Sequence, residues 1–412
     1  MKILHAADLH IDSPLRGLSR YEGAPEEDLR LATRLALENL VRLAIEQAVD
    51  AVLLAGDVYD GDWRDYSTGL YFSRQMAALG RAGIRVYMVS GNHDAQNRMM
   101  RTLKPPGNVH VFTTDRPETV RDETAGLAVH GQGFAEWDLS ENLAVGYPAR
   151  ENGLFNVGLL HTGLEGGYTD HKRYAPCTVA DLQARDYDYW ALGHVHTRQI
   201  LSQEPWIVYP GNIQGRHARE TGPKGCTIVT IDGELRIESV VHHDLDTARW
   251  EHLDVDVTGL DDADHVLGRV RQRFQEIPEE RLTAVRVTLT GATSAHLSLW
   301  RDRERILNEL RAAAGDQPNL WLEQLKLRTS SEDHGDSGGG TTGILTDVRR
   351  TLTALGADPD GLAARLSNHP LIGRIPAKIK NSDGIAPTDP AWIGSLTDEA
   401  YQLVESLLQE AR

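Results

Sequence analysis

Cysteine is scarce in this sequence: Cys177 and Cys226 are the only two in 412 residues, far apart and without a C-x-x-C partner. That argues against a disulfide framework or a thiolate metal site and makes a reducing cytoplasm the expected location. Long apolar runs are missing too. No stretch approaches the roughly 20 residues needed to cross a bilayer, and the start runs from Met1 through a short strand-like segment into polar residues, without the apolar region of an export signal. Positive charge is the third shortage, since 43 Lys and Arg against 60 Asp and Glu leave a net charge of -17. A protein that holds nucleic acid on a broad cationic surface depends on many phosphate contacts by Lys and Arg, so that class is disfavoured. A phosphate held by bound cations and a local basic rim escapes the objection, because net charge speaks to solubility and steering and not to one cleft.

What remains is ordinary globular usage, 40% hydrophobic and 25% charged, at a length suited to two or three domains. Over residues 1–245, short apolar runs alternate with amphipathic stretches, which predicts a layered α/β domain. Candidate strands are 2–7, 51–55, 84–90, 156–161, 189–192, 206–209 and 226–231, and a helix over 29–49 would align Leu35, Leu40, Leu43 and Ala44 on one face. Residues 246–328 read as a smaller α+β unit of strand-helix-strand-helix-strand, with Leu320 and Leu322 out of phase with Leu325 and Leu327. Residues 329–343 are expected to be a flexible linker, and 344–412 a helical C-terminal region. Its last helix, over 398–411 with Thr397 as N-cap, would dock on a partner or pack on its own domain.

Five short elements, each after a predicted strand, carry the chemistry: Asp8-Leu9-His10, Gly56-Asp57, Gly91-Asn92-His93-Asp94, His161, and Gly193-His194-Val195-His196. An α/β sheet gathers the carboxyl ends of distant strands in one crevice, and the three glycines permit tight strand-to-loop turns. Carboxylate and amide oxygens with imidazole nitrogens, and no thiolate, suit two divalent ions such as manganese, iron or zinc. Asp57 is the natural bridge, with Asp8, His10 and His196 on one ion and Asn92, His161 and His194 on the other. Such a pair activates water for in-line attack on phosphorus and offsets the charge that develops there. His93 is then placed to steady the phosphate or protonate the leaving oxygen, with Asp94 expected to orient it.

His5, inside the first strand, is expected to be a core histidine and not a ligand. Arg216 and His217 are candidate substrate-binding residues which, with Arg219, His171, Lys172 and Arg173, would form the basic rim or else a solvated loop. Arg374, Lys378 and Lys380 make the tail locally basic.

In this order, Asp-x-His, Gly-Asp-x-x-Asp, Gly-Asn-His-Asp, a single His and Gly-His-x-His resemble the calcineurin-like metallophosphoesterases. The opening MKILHAADLHIDSPL, Tyr174-Ala175-Pro176-Cys177 and the segment from Tyr209 to His217 are similar to the SbcD/YhaO branch of bacterial DNA repair exonucleases. The resemblance implies a four-layer α/β/β/α sandwich with a capping domain and two divalent metal ions, most simply manganese. It also implies a homodimer acting on DNA, with an SMC-like ATPase partner of the YhaN type. One departure is Asp60, because some relatives carry His three places after the bridging Asp and use it near the phosphate. The competing readings are a phosphodiesterase for nucleotides or other small substrates, and a catalytically idle adaptor between DNA and an ATPase.

Overall fold

The computed structural model describes residues 1–13, 23–60, 66–95, 104–165 and 174–331, with parts of 347–410. It divides into two compact units, Met1–Glu251 with Arg281–Ala284, and His252–Glu280 with Val285–Arg412.

The first unit runs β1 (Lys2–Ala6), α1 (Glu26–Glu46), β2 (Ala51–Ala55), α2 (Tyr66–Arg81), β3 (Arg85–Val89), α3 (Asn92–Ala95), β4 (Val109–Val111), β5 (Glu118–Asp122), β6 (Leu127–Gly131) and β7 (Phe155–His161). It continues with α4 (Val179–Gln183), β8 (Tyr189–Gly193), β9 (Gln199–Gln203), β10 (Trp206–Tyr209), β11 (Gly225–Ile231) and β12 (Ile237–Asp244). Among the described residues these strands form two six-stranded sheets, ordered β12-β11-β1-β2-β3-β4 and β5-β6-β7-β8-β10-β9. The central strands of both are parallel; β11 and β12 add antiparallel pairs at one flank of the first sheet, whose other edge, β4, is parallel, while β5 and β9 close both flanks of the second sheet as antiparallel strands.

Strand alternation explains why this is a four-layer sandwich. Leu4, Val52, Leu54, Val86 and Met88 face α1 and α2, whereas Ile3, Leu53, Tyr87 and Val89 meet Val129, Val157, Leu159 and Tyr189 of the second sheet. Trp190 and Leu192 point to the outer side of that sheet, into a cluster with Leu182 of α4. With both faces covered, the inner strands are apolar without alternation, and Ala51–Ala55 is buried throughout. β4, β5, β6, β9 and β12 were not expected. The first is very short, and Glu-Thr-Val-Arg-Asp in β5 has too few apolar residues to signal a strand. On α1 the buried face is Leu29, Ala32, Ala36, Leu37, Leu40, Val41 and Ala44, so Leu35, expected on that face, is instead exposed.

The second unit contains the end of β13 (Ala248–Asp256), then α5 (Ala263–Phe274), β14 (Leu282–Ala292), α6 (His296–Arg301), α7 (Arg303–Gly315) and β15 (Leu320–Ser330). Its three-stranded sheet has the order β13-β14-β15. Leu320, Leu322, Leu325 and Leu327 join one core cluster, so β15 absorbs the phase change and remains a single strand. Most of the expected linker, and Arg374, Lys378 and Lys380, lie outside the described residues. Two tail helices follow, α8 (Pro359–Ser367) and α9 (Pro390–Glu410), and α9 packs on α6 and α8. The expected start at 398 is thus eight residues late, because the backbone N–H of Ala391 donates to Asp389 Oδ1 (2.9 Å) and Pro390 pre-sets the first turn. Thr397 is not an N-cap, since its hydroxyl donates back to the Ile393 carbonyl at 2.8 Å.

His5 lies between the two sheets, fully buried, with Nδ1 2.9 Å from the Tyr189 hydroxyl and Nε2 3.1 Å from the Leu192 carbonyl. Both ring nitrogens are satisfied by a neutral imidazole that donates at Nε2 and accepts at Nδ1. Burial lowers its pKa to about 3, from 6.5. As pH falls below 6.5 the unfolded chain takes up a proton that the folded one refuses, so stability is lost by about 1.4 kcal/mol per pH unit, down to about pH 3. Urea midpoints of the native chain and H5Q between pH 6.5 and 4 check this: the difference between the two should shrink steadily with acid.

Candidate metal centre

All five sequence elements come together at the carboxyl ends of β1, β2, β3, β7 and β8. The loops after β1 and β2 are tied by backbone bonds from Asp8 to Gly56, His10 to Asp57 and Ile11 to Val58, each 3.0 Å. One of their connections to the second sheet is His161, whose Nδ1 is 2.9 Å from the Ala55 carbonyl at the tip of β2. That closeness sets the need for glycine. A Cβ on Gly56 would stand 2.6 Å from His161 Nδ1, one on Gly193 would strike the Ala55 carbonyl oxygen, and one on Gly91 would strike the Asp57 carboxylate. Among these three only Gly56 has a positive φ, 90°, so at Gly91 and Gly193 the constraint is crowding and not turn geometry.

Asp8, His10, Asp57 and His194 have φ of 52°, 42°, 53° and 103°, in the left-handed region that non-glycine residues avoid. Strain at four of seven candidate donors shows that surrounding contacts impose their orientation. The Asp8 carboxylate accepts from the His194 backbone N–H (3.0 and 3.1 Å), and Asp57 Oδ1 accepts from the His93 backbone N–H (2.9 Å). Asp57 Oδ2 lies 3.5 Å from His161 Nε2 and 3.9 Å from His10 Nε2, between the two groups of donors. In one group, donor atoms of Asp8, His10 and His196 lie within 4.8 Å of one another, and in a second, so do those of Asp8, Asp57 and His161. Asn92 Oδ1 is 3.1 Å from His161 Nε2, and the His194 ring centroid is 5.2 Å from that of His161.

The donor chemistry fits divalent cations. With its Nδ1 hydrogen given to Ala55, neutral His161 directs an Nε2 lone pair at the Asn92 oxygen, an arrangement of two acceptors that a shared cation reconciles. His196 behaves alike: Nδ1 is 2.6 Å from Glu220 Oε1, which leaves Nε2 as a lone pair 3.2 Å from His10 Nε2. Burial, with the neighbouring Asp57 charge, pushes the Asp8 carboxyl well above its ordinary range, and burial pushes Asp57 up to about 6. Two carboxylates held together away from water need positive charge between them to stay ionised.

His93 is part-exposed beside this cluster, its ring 4.9 Å from that of His10. The carboxylate that holds it is Asp60, whose Oδ1 is 2.8 Å from His93 Nδ1. Asp94, expected in that role, accepts instead from the backbone N–H groups of Val58, Tyr59 and Gly91, and so clamps the Asp57 loop to the Asn92 loop. Burial opposes a charge on either partner, but the shared hydrogen bond and nearby charges prevail: Asp60 is lowered to about 2 and His93 is raised. Ser13 Oγ donates to Asp60 Oδ2 at 2.6 Å and completes the support.

Arg216 is not a free rim residue. Its guanidinium is 3.0 Å from Glu220 Oε1 and 3.9 Å from Asp60 Oδ2, so two carboxylates offset its charge. His217 is part-exposed with Nε2 3.6 Å from Glu220 Oε1, Arg219 is exposed, and His171, Lys172 and Arg173 lie outside the described residues. Glu220 is the group that sequence reasoning missed. It is buried, accepts from His196, Arg216 and Asn212, and lies four residues after Arg216 in a segment read only for its positive charges.

Residues 1–198 match the calcineurin-like phosphoesterase family, and residues 250–330 match the middle domain of metallophosphoesterase YhaO. The metallophosphoesterase YhaO of Bacillus subtilis is 34% identical over 297 residues, which cover 71% of this chain and 72% of the relative. The chain belongs to the YhaO-type calcineurin-like metallophosphoesterases. More distant relatives of this YhaO-type chain are the DNA double-strand break repair protein Mre11 of Methanosarcina acetivorans and a component of the nuclease SbcCD of Bacillus subtilis. The first is 22% identical over 75% of this chain and 49% of its own length, and the second 25% identical over 56% and 66%. The YhaO-type chain thus spans about half of that Mre11 protein. Family membership makes it a phosphoesterase of the class that binds two metal ions.

In this YhaO-type site the carboxylate of Glu220 fixes the tautomer of His196 and raises its basicity toward a cation. E220Q should therefore weaken metal binding about 10- to 100-fold with the fold intact, as read by calorimetric titration with manganese. Unchanged affinity would mean that Glu220 does not act through His196.

Proposed function

We propose that this metallophosphoesterase is a DNA nuclease, acting on DNA ends as an exonuclease in repair. The observation that carries the reading is the Asp60-His93 pair, an imidazole anchored 2.8 Å from a carboxylate that favours its protonated form, on the part-exposed side of the donor cluster. In this reading Asp8, His10 and His196 would hold one ion, Asn92, His161 and His194 would hold the other, and Asp57 would serve both. When bound, the two ions, manganese in the first instance, supply the positive field that activates water and offsets the charge of the phosphate. The side chains do the rest. Asp60 keeps the proton on His93 Nδ1, which leaves Nε2–H to donate to the leaving oxygen or to the phosphate as charge grows on it. Asp94 and the Gly91 turn fix Asn92 and His93 relative to Asp57, and Glu220 fixes His196.

DNA as substrate is supported by the names of the Mre11 and SbcCD relatives, and the offset charge on Arg216 shifts the work of holding phosphate from a basic surface to the ions. H93A should keep its metal and lose cleavage of a linear duplex by about 100- to 10,000-fold. A chromogenic phosphodiester assayed beside the duplex separates the alternatives: turnover of the small substrate alone rejects the nuclease reading, and turnover of neither by the metal-loaded native chain leaves an idle adaptor.

A homodimer fits this function and has a surface available. Leu31 and Leu35 on α1 and Tyr66 and Leu70 on α2 are exposed at four-residue spacings on two helices that pack together. L35E combined with L70E should give a folded monomer by light scattering where the native chain gives a dimer. On α9, exposed Leu396 and Leu403 stand seven residues apart, a spacing suited to a helical segment of the proposed SMC-like, YhaN-type ATPase.

A further inference from the structure

We propose that Trp137, backed by Tyr174, is a stacking platform for a single terminal nucleobase next to the scissile phosphate. The proposal rests on the phosphodiesterase reading above and adds to it the group that is recognised.

Three rings lead outward from the donor cluster: His10, then His93 with its centroid 4.9 Å away, then Trp137 at 4.4 Å from His93. Trp137 is half-buried in the loop after β6. Its one polar atom is committed inside the protein, because Nε1–H donates to the Tyr174 hydroxyl at 3.0 Å. Tyr174 is itself buried, with its ring 5.6 Å from that of His194, so the pair extends from the catalytic histidine to a candidate metal ligand. An indole held at its polar end and packed against the cluster of Phe134, Leu143 and Leu164 has little rotamer freedom left to lose on binding. What it offers is an apolar π-face.

Charge identifies what that face suits. Arg216 and Glu220 crowd the side of the cluster occupied by His196, whereas Asp60 holds His93, the ring next to Trp137, at 2.8 Å, and the chain neighbours of Trp137, Glu136 and Asp138, are both exposed. With acidic and not basic residues around it in the chain and behind His93, the indole favours a planar, uncharged group over a second phosphate. A nucleobase on the group that leaves from His93 meets that description, since stacking on an aromatic side chain tolerates any base. Continued backbone does not. The platform therefore selects the last nucleotide of a strand.

The test uses the full chain loaded with manganese and compares thymidine 5′-monophosphate with inorganic phosphate by equilibrium dialysis. The native protein should bind the nucleotide more tightly than phosphate. W137A should lose about 10- to 100-fold of the nucleotide affinity, with phosphate affinity and metal content within about 2-fold of native. W137L, which keeps bulk without a π-face, should behave like W137A, and W137F should recover most of the loss. Equal losses for both ligands, W137L matching the native chain, or a native protein that does not prefer the nucleotide would each overturn the platform. Nucleotide preference that depends on Trp137, in a protein that leaves duplex DNA uncut, keeps the platform and removes the nuclease reading. Duplex cleavage with no dependence of nucleotide binding on Trp137 does the reverse.

Discussion

A hydrogen bond between strand tips ties the two sheets of the sandwich together at the place where chemistry can occur. The Ala55 carbonyl, at the tip of a strand in the first sheet, takes the Nδ1 hydrogen of His161, at the tip of a strand in the second. For the two tips to come this close, Gly56 and Gly193 must lack a Cβ, and every donor attached to either sheet is then brought within reach of the other. The bond also decides which nitrogen of His161 is left for a cation. A packing contact between layers thus sets the tautomer of a ligand.

The electrostatics of the site are arranged around that contact. Asp8 and Asp57 are buried with little to neutralise them inside the cluster, and four donors sit in backbone conformations that only their surroundings sustain. Such a set is unfavourable by itself and becomes favourable when divalent ions occupy it, so the energy of folding is stored as affinity for metal. Carboxylates just outside the cluster divide the remaining tasks. Glu220 aims His196, Asp94 clamps two loops through backbone N–H groups, and Asp60 holds the proton on His93. Where some relatives are expected to carry a second histidine, this chain has an acid whose hydrogen bond raises the pKa of the first one.

The site is also two-sided. Arg216, held between Glu220 and Asp60, makes one side a compensated ionic wall, and the Trp137-Tyr174 pair makes the other aromatic. Such an arrangement is compatible with a strongly acidic protein that acts on a phosphoester, because in the proposed reading attraction to the anion falls to the ions and to His93 and not to a basic surface.

Much of the fold could be read directly. The inner strands are short apolar runs ending in Asp, Asn, Gly or His, and a strand buried on both faces leaves that signature. The flanking strands were harder to see, because half-exposed edge strands such as β5 and β9 carry polar residues that suit loops equally well. The tail helix was read as too short because Thr397 satisfies the rule for a cap while bonding one turn back. Spacing along the chain determined the identity and order of the seven candidate donors and of His93, since residue type and position after a strand are local properties. Which carboxylate serves which histidine was decided only in three dimensions. Asp94 adjoins His93 in sequence yet faces backbone N–H groups, while Asp60 and Glu220 reach their histidines through loops whose paths depend on contacts between sheets, and no local pattern encodes those contacts.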